Sequence, residues 1–192
     1  MTCVVAVVDK AKNIHFGSDS LASDSYSQSV MTDSKIFMLG EMIIGYAGSF
    51  RSAQVLRHAM ALPGREESQE DMEYLVGSFL HSVRIAFAEA GILRIQDCVE
   101  DFEGEFILGY RGKIYYMQGD FSLIHTVDDF CSIGEGGDSA RAVLYATRAM
   151  KTLKPIERMT LALEAASYNI TSVKPPFHFK SVDMDGFEKE EK

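Results

Sequence analysis

The chain has 192 residues, of which 46% are hydrophobic and 24% are charged, and these values are typical of one globular domain with a full core. They exclude a wholly disordered chain. The formal net charge of -9, with an isoelectric point near 5.0, argues against a nucleic-acid groove or an anionic membrane surface as the main partner.

The chain opens with a short apolar run that predicts a strand buried on both faces. Six apolar residues, four of them valine, occupy positions 3–8, which is too short for a membrane span or a secretory core. Polar residues over 9–13 lead to a second run over 14–18, and this pattern predicts a β-ribbon. Thr2 follows Met1, in a context where an initiator methionine is commonly removed. Removal would leave a free α-amino group on the residue that carries the hydroxyl.

The later elements are predicted from apolar periodicity and from capping or breaking residues. In chain order they are a strand at 35–38, a strand at 42–47, a helix from Ser49 to before Pro63, a helix capped by Ser68 and ending at Gly91, strands at 105–110, 113–117, 122–127 and 130–133, a helix over 140–150, a helix opened by Pro155 and a strand at 177–184. The composition of the Ser- and Asp-rich stretch over 18–34 predicts a loop or an irregular edge.

This order of elements predicts the fold class. Hairpins rather than βαβ crossovers join the strands, and the helices come in pairs. The pattern favours an α+β fold, namely a four-layer αββα sandwich of two antiparallel sheets flanked by helix pairs. We expect a single domain over 2–186 and a charged tail over 187–192 that frays.

Cysteines and histidines give no sign of a cofactor. Cys3, Cys98 and Cys131 are odd in number and lack C-x-x-C spacing, so they predict neither a disulfide framework nor a zinc site. The five histidines never fall at ligand spacing. We therefore expect no metal and no cofactor, and a reducing compartment such as the cytoplasm.

Five short segments resemble the motifs of one peptidase family in order and spacing. They are Thr2-Cys3-Val4-Val5-Ala6, Gly17-Ser18-Asp19, Val30-Met31-Thr32-Asp33-Ser34-Lys35, Gly45-Tyr46-Ala47-Gly48-Ser49 and Ser132-Ile133-Gly134-Glu135-Gly136-Gly137-Asp138-Ser139-Ala140. Over nearly its whole length the chain resembles the proteasome β-type and HslV-like family of N-terminal nucleophile (Ntn) hydrolases. Asp19 and Lys35 are sixteen residues apart, as in the family. The spacing from Thr2 to Asp19 is one residue longer than the family norm.

The resemblance implies catalytic roles for Thr2, Asp19, Lys35 and Gly48. A threonine hydroxyl needs a base, and its own α-amino group, with an unperturbed pKa of about 7.7–8.0, can serve. A Lys35 cation oriented by Asp19 would lower the pKa of both Thr2 groups. The backbone N–H of Gly48 would stabilise the oxyanion of the tetrahedral intermediate. We expect Lys35, at a strand start, to contribute little packing.

Two positions depart from the family pattern. Glu135 stands where the family usually has a serine, and the aspartate that contacts this serine is matched by Tyr168, or by Asn169 with a one-residue slip. A glutamate beside the α-amine could pair with it and raise its pKa. In the alternative, Glu135 reaches solvent and the pair is merely replaced.

The resemblance also implies a substrate and an assembly. It predicts a threonine-type endopeptidase that hydrolyses unfolded polypeptides inside a homo-oligomeric ring of six or seven subunits, and it allows an ATP-dependent unfoldase as a partner. By analogy, Asp33, Phe37 and Tyr46 would lie near the pocket for the residue before the scissile bond. Two alternatives remain open: an Ntn amidohydrolase acting on a smaller amide, and a catalytically inactive ring or scaffold subunit that retains Met1.

Overall fold

The computed structural model describes residues 2–23, 26–96 and 98–189, so the predicted removal of Met1 concerns a residue outside them. Within these ranges the strands are β1 (Val4–Val8), β2 (Ile14–Ser18), β3 (Leu21–Ser23), β4 (Gln28–Val30), β5 (Ile36–Leu39), β6 (Met42–Gly48), β7 (Arg94–Gln96), β8 (Val99–Asp101), β9 (Gly104–Tyr110), β10 (Lys113–Met117), β11 (Leu123–Ile124), β12 (Phe130–Ile133) and β13 (His178–Val182). The helices are α1 (Phe50–His58), α2 (Asp71–Glu73), a π-helical segment (Tyr74–Phe79), α3 (Leu80–Glu89), α4 (Gly137–Thr147) and α5 (Pro155–Asn169).

Most strands belong to two antiparallel sheets. Sheet A has the order β12-β1-β2-β13, and sheet B has the order β11-β10-β9-β6-β5. The predicted ribbon is confirmed, because β1 and β2 pair with Val4 opposite Ser18 and Val8 opposite Ile14. Strand β1 also pairs with β12 on its other edge. The strand that follows Thr2 is therefore held on both sides.

Alternate residues of β1 pack into different layers, which explains why its sequence is apolar throughout. Val4 and Ala6 belong to the cluster between the two sheets, whereas Val5 and Val7 belong to the cluster beneath α4 and α5. A third cluster lies between sheet B and the helices from α1 to α3. The layers are helices, sheet A, sheet B and helices, so the predicted αββα sandwich is confirmed.

The helix starts are fixed by local hydrogen bonds. Ser49 caps α1 as predicted, since its hydroxyl accepts the Ser52 N–H at 3.3 Å. The predicted cap of the next helix at Ser68 is wrong, because the helix begins at Asp71. The chain is still turning before that point, where the Gln69 N–H donates to the Glu66 carbonyl at 3.1 Å.

Three further differences concern surface segments. The predicted loop over 18–34 contains the hairpin β3–β4, and a second hairpin, β7–β8, was not predicted. Residues 187–189 do not fray, because Glu188 bridges to Val182 and the Lys189 N–H donates to the Ser181 carbonyl at 2.9 Å. Residues 190–192 lie outside the described part of the chain. In that described part, no helix combines the length and apolar character needed to cross a membrane.

Candidate active site

A buried ion pair joins the ends of two strands. Asp19 directly follows β2 and Lys35 directly precedes β5, and the Lys35 Nζ donates to the Asp19 Oδ1 at 2.8 Å. Both side chains are 0% exposed. The same Nζ donates to the Leu21 carbonyl at 2.7 Å. Two of the three N–H groups of the ammonium thus have an acceptor at bonding distance.

The Asp19 carboxylate also fixes the backbone beside Thr2. Its Oδ1 accepts the Cys3 N–H at 2.9 Å, and its Oδ2 accepts the Leu21 N–H at 3.1 Å. The Asp19 N–H returns a bond to the Cys3 carbonyl at 3.1 Å. The predicted orienting residue is therefore linked both to Lys35 and to the residue that follows Thr2.

Burial dominates the electrostatics of this cluster. It lowers the pKa of Lys35 below the ordinary value of 10.5, while the charge and hydrogen bond of Asp19 oppose that change. Burial also raises the pKa of the Cys3 thiol to about 12, with the Asp19 charge adding to the rise and the Lys35 charge opposing it. Cys3 therefore stays protonated at neutral pH and is a poor nucleophile.

Thr2 and Gly48 line one cleft of about 440 Å³. The other lining residues are Ala47, Gly104, Glu105, Tyr116, Gln118, Gly119, Gly134 and Glu135. The turn after β12 holds Thr2 from one side, since the Gly136 N–H donates to the Thr2 carbonyl at 3.2 Å. Gly134 has a φ of +87°, and a Cβ at this position would lie 2.3 Å from the Thr2 carbonyl oxygen. Only glycine allows this approach.

Gly48 ends β6 in a conformation that disfavours any side chain. Its φ is +100°, and a Cβ would lie 2.7 Å from the Cα of Gly104, its cross-strand partner. The wall of the cleft is therefore backbone at this point. The four predicted site residues fall into two groups, the ion pair of Asp19 with Lys35 and the cleft-lining residues Thr2 and Gly48. The bond from the Cys3 N–H to Asp19 connects the ion pair to the residue that follows Thr2.

Glu135 lines the cleft and is exposed to solvent, in agreement with one of the two alternatives expected from the sequence. Its Oε2 accepts the Ser172 hydroxyl at 2.6 Å, while Tyr168 is 91% exposed and the Asn169 Nδ2 donates to the Ser139 hydroxyl at 3.1 Å. No local pattern points to Ser172, a single serine in the turn after α5.

Glu105 is a second cleft residue that the sequence predicted only as part of a strand. Its Oε1 accepts the Gly134 N–H at 2.9 Å, and its Oε2 accepts the Tyr116 hydroxyl at 2.5 Å. Burial, together with the bond to Glu105, raises the pKa of Tyr116 to about 12. The Tyr116 hydroxyl therefore remains a hydrogen-bond donor at neutral pH.

A second pocket, of about 490 Å³, flanks the start of α1. Its lining residues are Ala22, Met31, Asp33, Tyr46, Phe50, Ala53, Gln54, Arg57 and His58. Asp33 and Tyr46 lie here, but Phe37 does not: it packs in the sheet B core beneath Arg57, whose guanidinium carbon is 4.7 Å from the ring centroid. A larger cleft, of about 540 Å³, lies where β1 joins β2 and β9 joins β10, and its described lining includes none of the four predicted site residues.

The fold is shared with solved structures of three proteins. BPH from Thiobacillus denitrificans, solved in complex with epoxomicin, has a TM-score of 0.78 and 16% identity over 94% of this chain and 98% of that chain. HslV from Trypanosoma brucei has a TM-score of 0.67 and 17% identity over 95% and 99%, respectively. Anbu from Hyphomicrobium sp. strain MC1 has a TM-score of 0.65 and 17% identity over 100% and 86%.

These similarities extend over the whole domain, but they rest on shape rather than on sequence. No protein-family model matches the chain, and no curated protein matches it. At 16–17% identity the likeness shows the fold alone. The chain has the fold of the HslV-like and proteasome-type Ntn hydrolases, and the resemblance found in the five sequence segments is confirmed at that level.

Proposed function

We propose that a protein with this fold, and with this cleft at the start of its first strand, is a threonine-type endopeptidase. Thr2, exposed as the first residue by removal of Met1, is the nucleophile. The observation that carries the proposal is the fully buried Lys35–Asp19 pair, which is bonded to the Cys3 N–H beside Thr2. Burying two charges costs several kcal/mol per ion, and their mutual attraction often does not offset this desolvation penalty. Stability alone therefore does not explain such a pair.

The α-amine of Thr2 acts as the base. It takes the proton from Oγ1 as this oxygen attacks the carbonyl carbon of the peptide bond, and the Gly48 N–H stabilises the negative charge on the carbonyl oxygen. The C–N bond then breaks, and the departing amine takes the proton from the Thr2 ammonium. This leaves an ester between Oγ1 and the acyl half of the substrate. A water molecule, losing its proton to the same amine, hydrolyses the ester and restores Oγ1–H.

Lys35 and Asp19 prepare this chemistry without touching the peptide. A positive charge beside Thr2 disfavours protonation of the α-amine and favours loss of the hydroxyl proton, so it lowers both pKa values. Asp19 keeps the ammonium in place and orients the backbone of Cys3. The Ser172 hydroxyl donates to Glu135, which holds this carboxylate in place but leaves the negative charge that would oppose the effect.

The substrate is an unfolded polypeptide, cut inside a homo-oligomeric ring of six or seven subunits in the cytoplasm, with an ATP-dependent unfoldase as a further partner. Residues 2–186 form the one Ntn hydrolase domain. The pocket lined by Asp33 and Tyr46 receives the side chain of the substrate residue that precedes the scissile bond. Tyr46 lies on β6, two residues before Gly48. Light scattering at micromolar concentration tests the assembly, and a monomer would contradict it.

The decisive experiment compares wild type with Thr2→Ala, Thr2→Ser and a form in which Met1 is retained. Each is incubated with one reduced, alkylated protein substrate and, separately, with epoxomicin, and the mass of its N-terminal peptide is measured. We expect hydrolysis and a covalent adduct in wild type, reduced activity in Thr2→Ser, and neither in the other two forms. Equal hydrolysis by all four would exclude the N-terminal nucleophile. Correctly assembled but inactive wild type would favour the scaffold alternative.

The pH profile tests the role of Lys35. Activity should rise with pH as the α-amine loses its proton, with a midpoint below the unperturbed value of about 7.7–8.0 because of the nearby positive charge. The measurement is kcat/KM for a short peptide substrate across pH 5–10. A midpoint above 8 would mean that Glu135 pairs with the amine instead.

A further inference from the structure

We infer that Glu105 is a positioning residue for Thr2, acting through the turn over 134–137; the inference rests on the proposed role of Thr2. Glu105 belongs to β9 of sheet B, whereas Thr2 and the turn belong to the end of sheet A. The carboxylate links the two sheets where the cleft opens.

The link consists of hydrogen bonds joined by a short stretch of backbone. The Tyr116 hydroxyl donates to Glu105, and the other oxygen of Glu105 accepts the Gly134 N–H. Two residues later, the Gly136 N–H donates to the Thr2 carbonyl at 3.2 Å. The hydrogen bonds at either end of the turn are joined by the short backbone segment 134–136, so a movement of the Glu105 carboxylate is passed to the backbone of Thr2.

The strand register explains why a carboxylate can reach this place. Ile107 lies two residues after Glu105, and it packs in the cluster between the sheets with its cross-strand partner Tyr116. Side chains two apart on a strand point to the same face, so Glu105 faces sheet A as well. It marks the point where the apolar layer ends and the polar cleft begins.

The bond to Glu105 fixes the N–H group at the start of the turn. Gly134 has a φ of +87°, and a Cβ added there would lie 2.3 Å from the Thr2 carbonyl oxygen. A glycine has the largest backbone freedom to lose on ordering, so a hydrogen bond to its N–H selects one conformation from many. Without the acceptor, the Gly134 N–H would lie part-buried and unpaired, which favours opening of the turn.

The Glu105 side chain acts here by geometry rather than by charge. Glutamine keeps an oxygen that can accept the Gly134 N–H, and its NH₂ group can donate to the Tyr116 oxygen. Alanine removes both bonds. Glu105→Gln and Glu105→Ala therefore separate the positioning role from an effect of negative charge on the Thr2 amine. Glu103→Ala is the matched control, because it removes a carboxylate two residues away that binds Arg94 on the surface.

The test uses hydrogen–deuterium exchange of the peptide covering 131–139, together with steady-state kinetics, on the assembled full-length protein. For Glu105→Ala we expect exchange about tenfold faster, and a kcat about 10- to 100-fold lower at nearly unchanged KM, since displacement of the nucleophile costs rate rather than binding. Glu105→Gln should restore both values to within about threefold, with an unchanged pH midpoint. Glu103→Ala should match wild type.

Two results would overturn the inference: wild-type exchange in Glu105→Ala, or a Glu105→Gln variant as impaired as Glu105→Ala. If Glu105→Ala does not assemble, Tyr116→Phe takes its place, because it removes the donor that orients the carboxylate; wild-type exchange and kcat in that variant would equally overturn it. If wild type hydrolyses nothing, the proposed function fails, and the exchange measurement alone decides whether Glu105 holds the turn.

Discussion

Two aspartates at opposite ends of the sandwich are each bound by a lysine, in contrasting surroundings. Asp19 is 0% exposed and pairs with Lys35 at 2.8 Å. Asp71 lies near the other end of β9, is 15% exposed, and receives Lys113 at 2.6 Å, Arg65 at 2.9 Å and Arg111 at 3.7 Å. Asp19 is thus paired with one fully buried cation, whereas Asp71 is surrounded by several partly exposed cations.

The difference shows what each cluster is for. Burial raises the pKa of Asp71, but the hydrogen bonds and charges of Lys113 and Arg65 outweigh it, so the pKa is lowered from 3.8 and the ionised form stabilises the fold. At the other end burial prevails and lowers the pKa of Lys35, so the charged lysine is an electrostatic cost to the fold. The partly exposed cluster contributes stability, whereas the buried pair, under the proposed mechanism, would serve the chemistry of Thr2.

The largest effect is expected for Lys35→Ala. Loss of the charge beside Thr2 should lower activity by orders of magnitude, and Asp19 would be left buried without its cation, at a cost of about 3–5 kcal/mol. The sequence-based expectation that Lys35 contributes little to packing is therefore wrong, because its side chain is fully buried. Denaturant unfolding and peptide hydrolysis measure the two losses.

The double variant Asp19→Asn/Lys35→Met is the control for that result. It removes both charges and should recover part of the stability while remaining inactive. An active double variant would contradict the proposed difference between the two clusters, since the buried pair would then have no catalytic role.

Gly48→Ala should have the next largest effect. A Cβ at a φ of +100°, 2.7 Å from the Gly104 Cα, adds strain of about 1–3 kcal/mol and displaces the proposed oxyanion donor, which costs about 10²-fold in kcat. Gly77→Ala is the control, since no described atom lies within 4 Å of its added Cβ. Wild-type kcat in Gly48→Ala would assign the oxyanion to another donor.

Asp71→Asn should weaken the fold by about 1–3 kcal/mol at pH 7 and leave the activity per assembled molecule unchanged. Because the folded pKa is depressed, this contribution is complete above the unfolded value of 3.8 and disappears as pH falls through the lower folded value. Urea unfolding of both proteins should differ at pH 7 and converge in strong acid. A difference that persists there would mean that the cluster acts through packing.

Tyr110→Phe should have the smallest effect, about 0.5–1.5 kcal/mol. Its hydroxyl accepts from Arg65 at 2.9 Å and donates to Glu41 at 3.2 Å, at the margin of the exposed cluster. Thermal unfolding measures the change. A loss as large as that of Asp71→Asn would place Tyr110 within the cluster rather than at its margin.

The fold followed from patterns that are local in sequence. The valine run of β1, the glycine breaks and the cap at Ser49 are each recognisable within a few residues, and the structure bears them out. The helix begins at Asp71 rather than after Ser68, and Asp71 binds Lys113, which is 42 residues away and lies outside any short window of sequence.

The candidate site was predicted as far as spacing and resemblance reach. The contact between Asp19 and Lys35 was implied by the family resemblance, in which the same sixteen-residue separation occurs. Glu105 and Ser172 were not, because their partners, Gly134 and Glu135, lie 29 and 37 residues away and belong to a different element. Single polar residues in a strand or a turn become informative only when the fold shows what they face.

The complete burial of Lys35 also governs its reactivity toward reagents. An amine-directed acylating agent can reach a lysine only when its nitrogen is accessible and uncharged, and in the native state Lys35 has no exposed surface. Its acylation must wait for an opening of the protein that separates β2 from β5. The acylation rate of Lys35, compared with the rates at exposed lysines of the same molecule, would therefore report the frequency of this local opening.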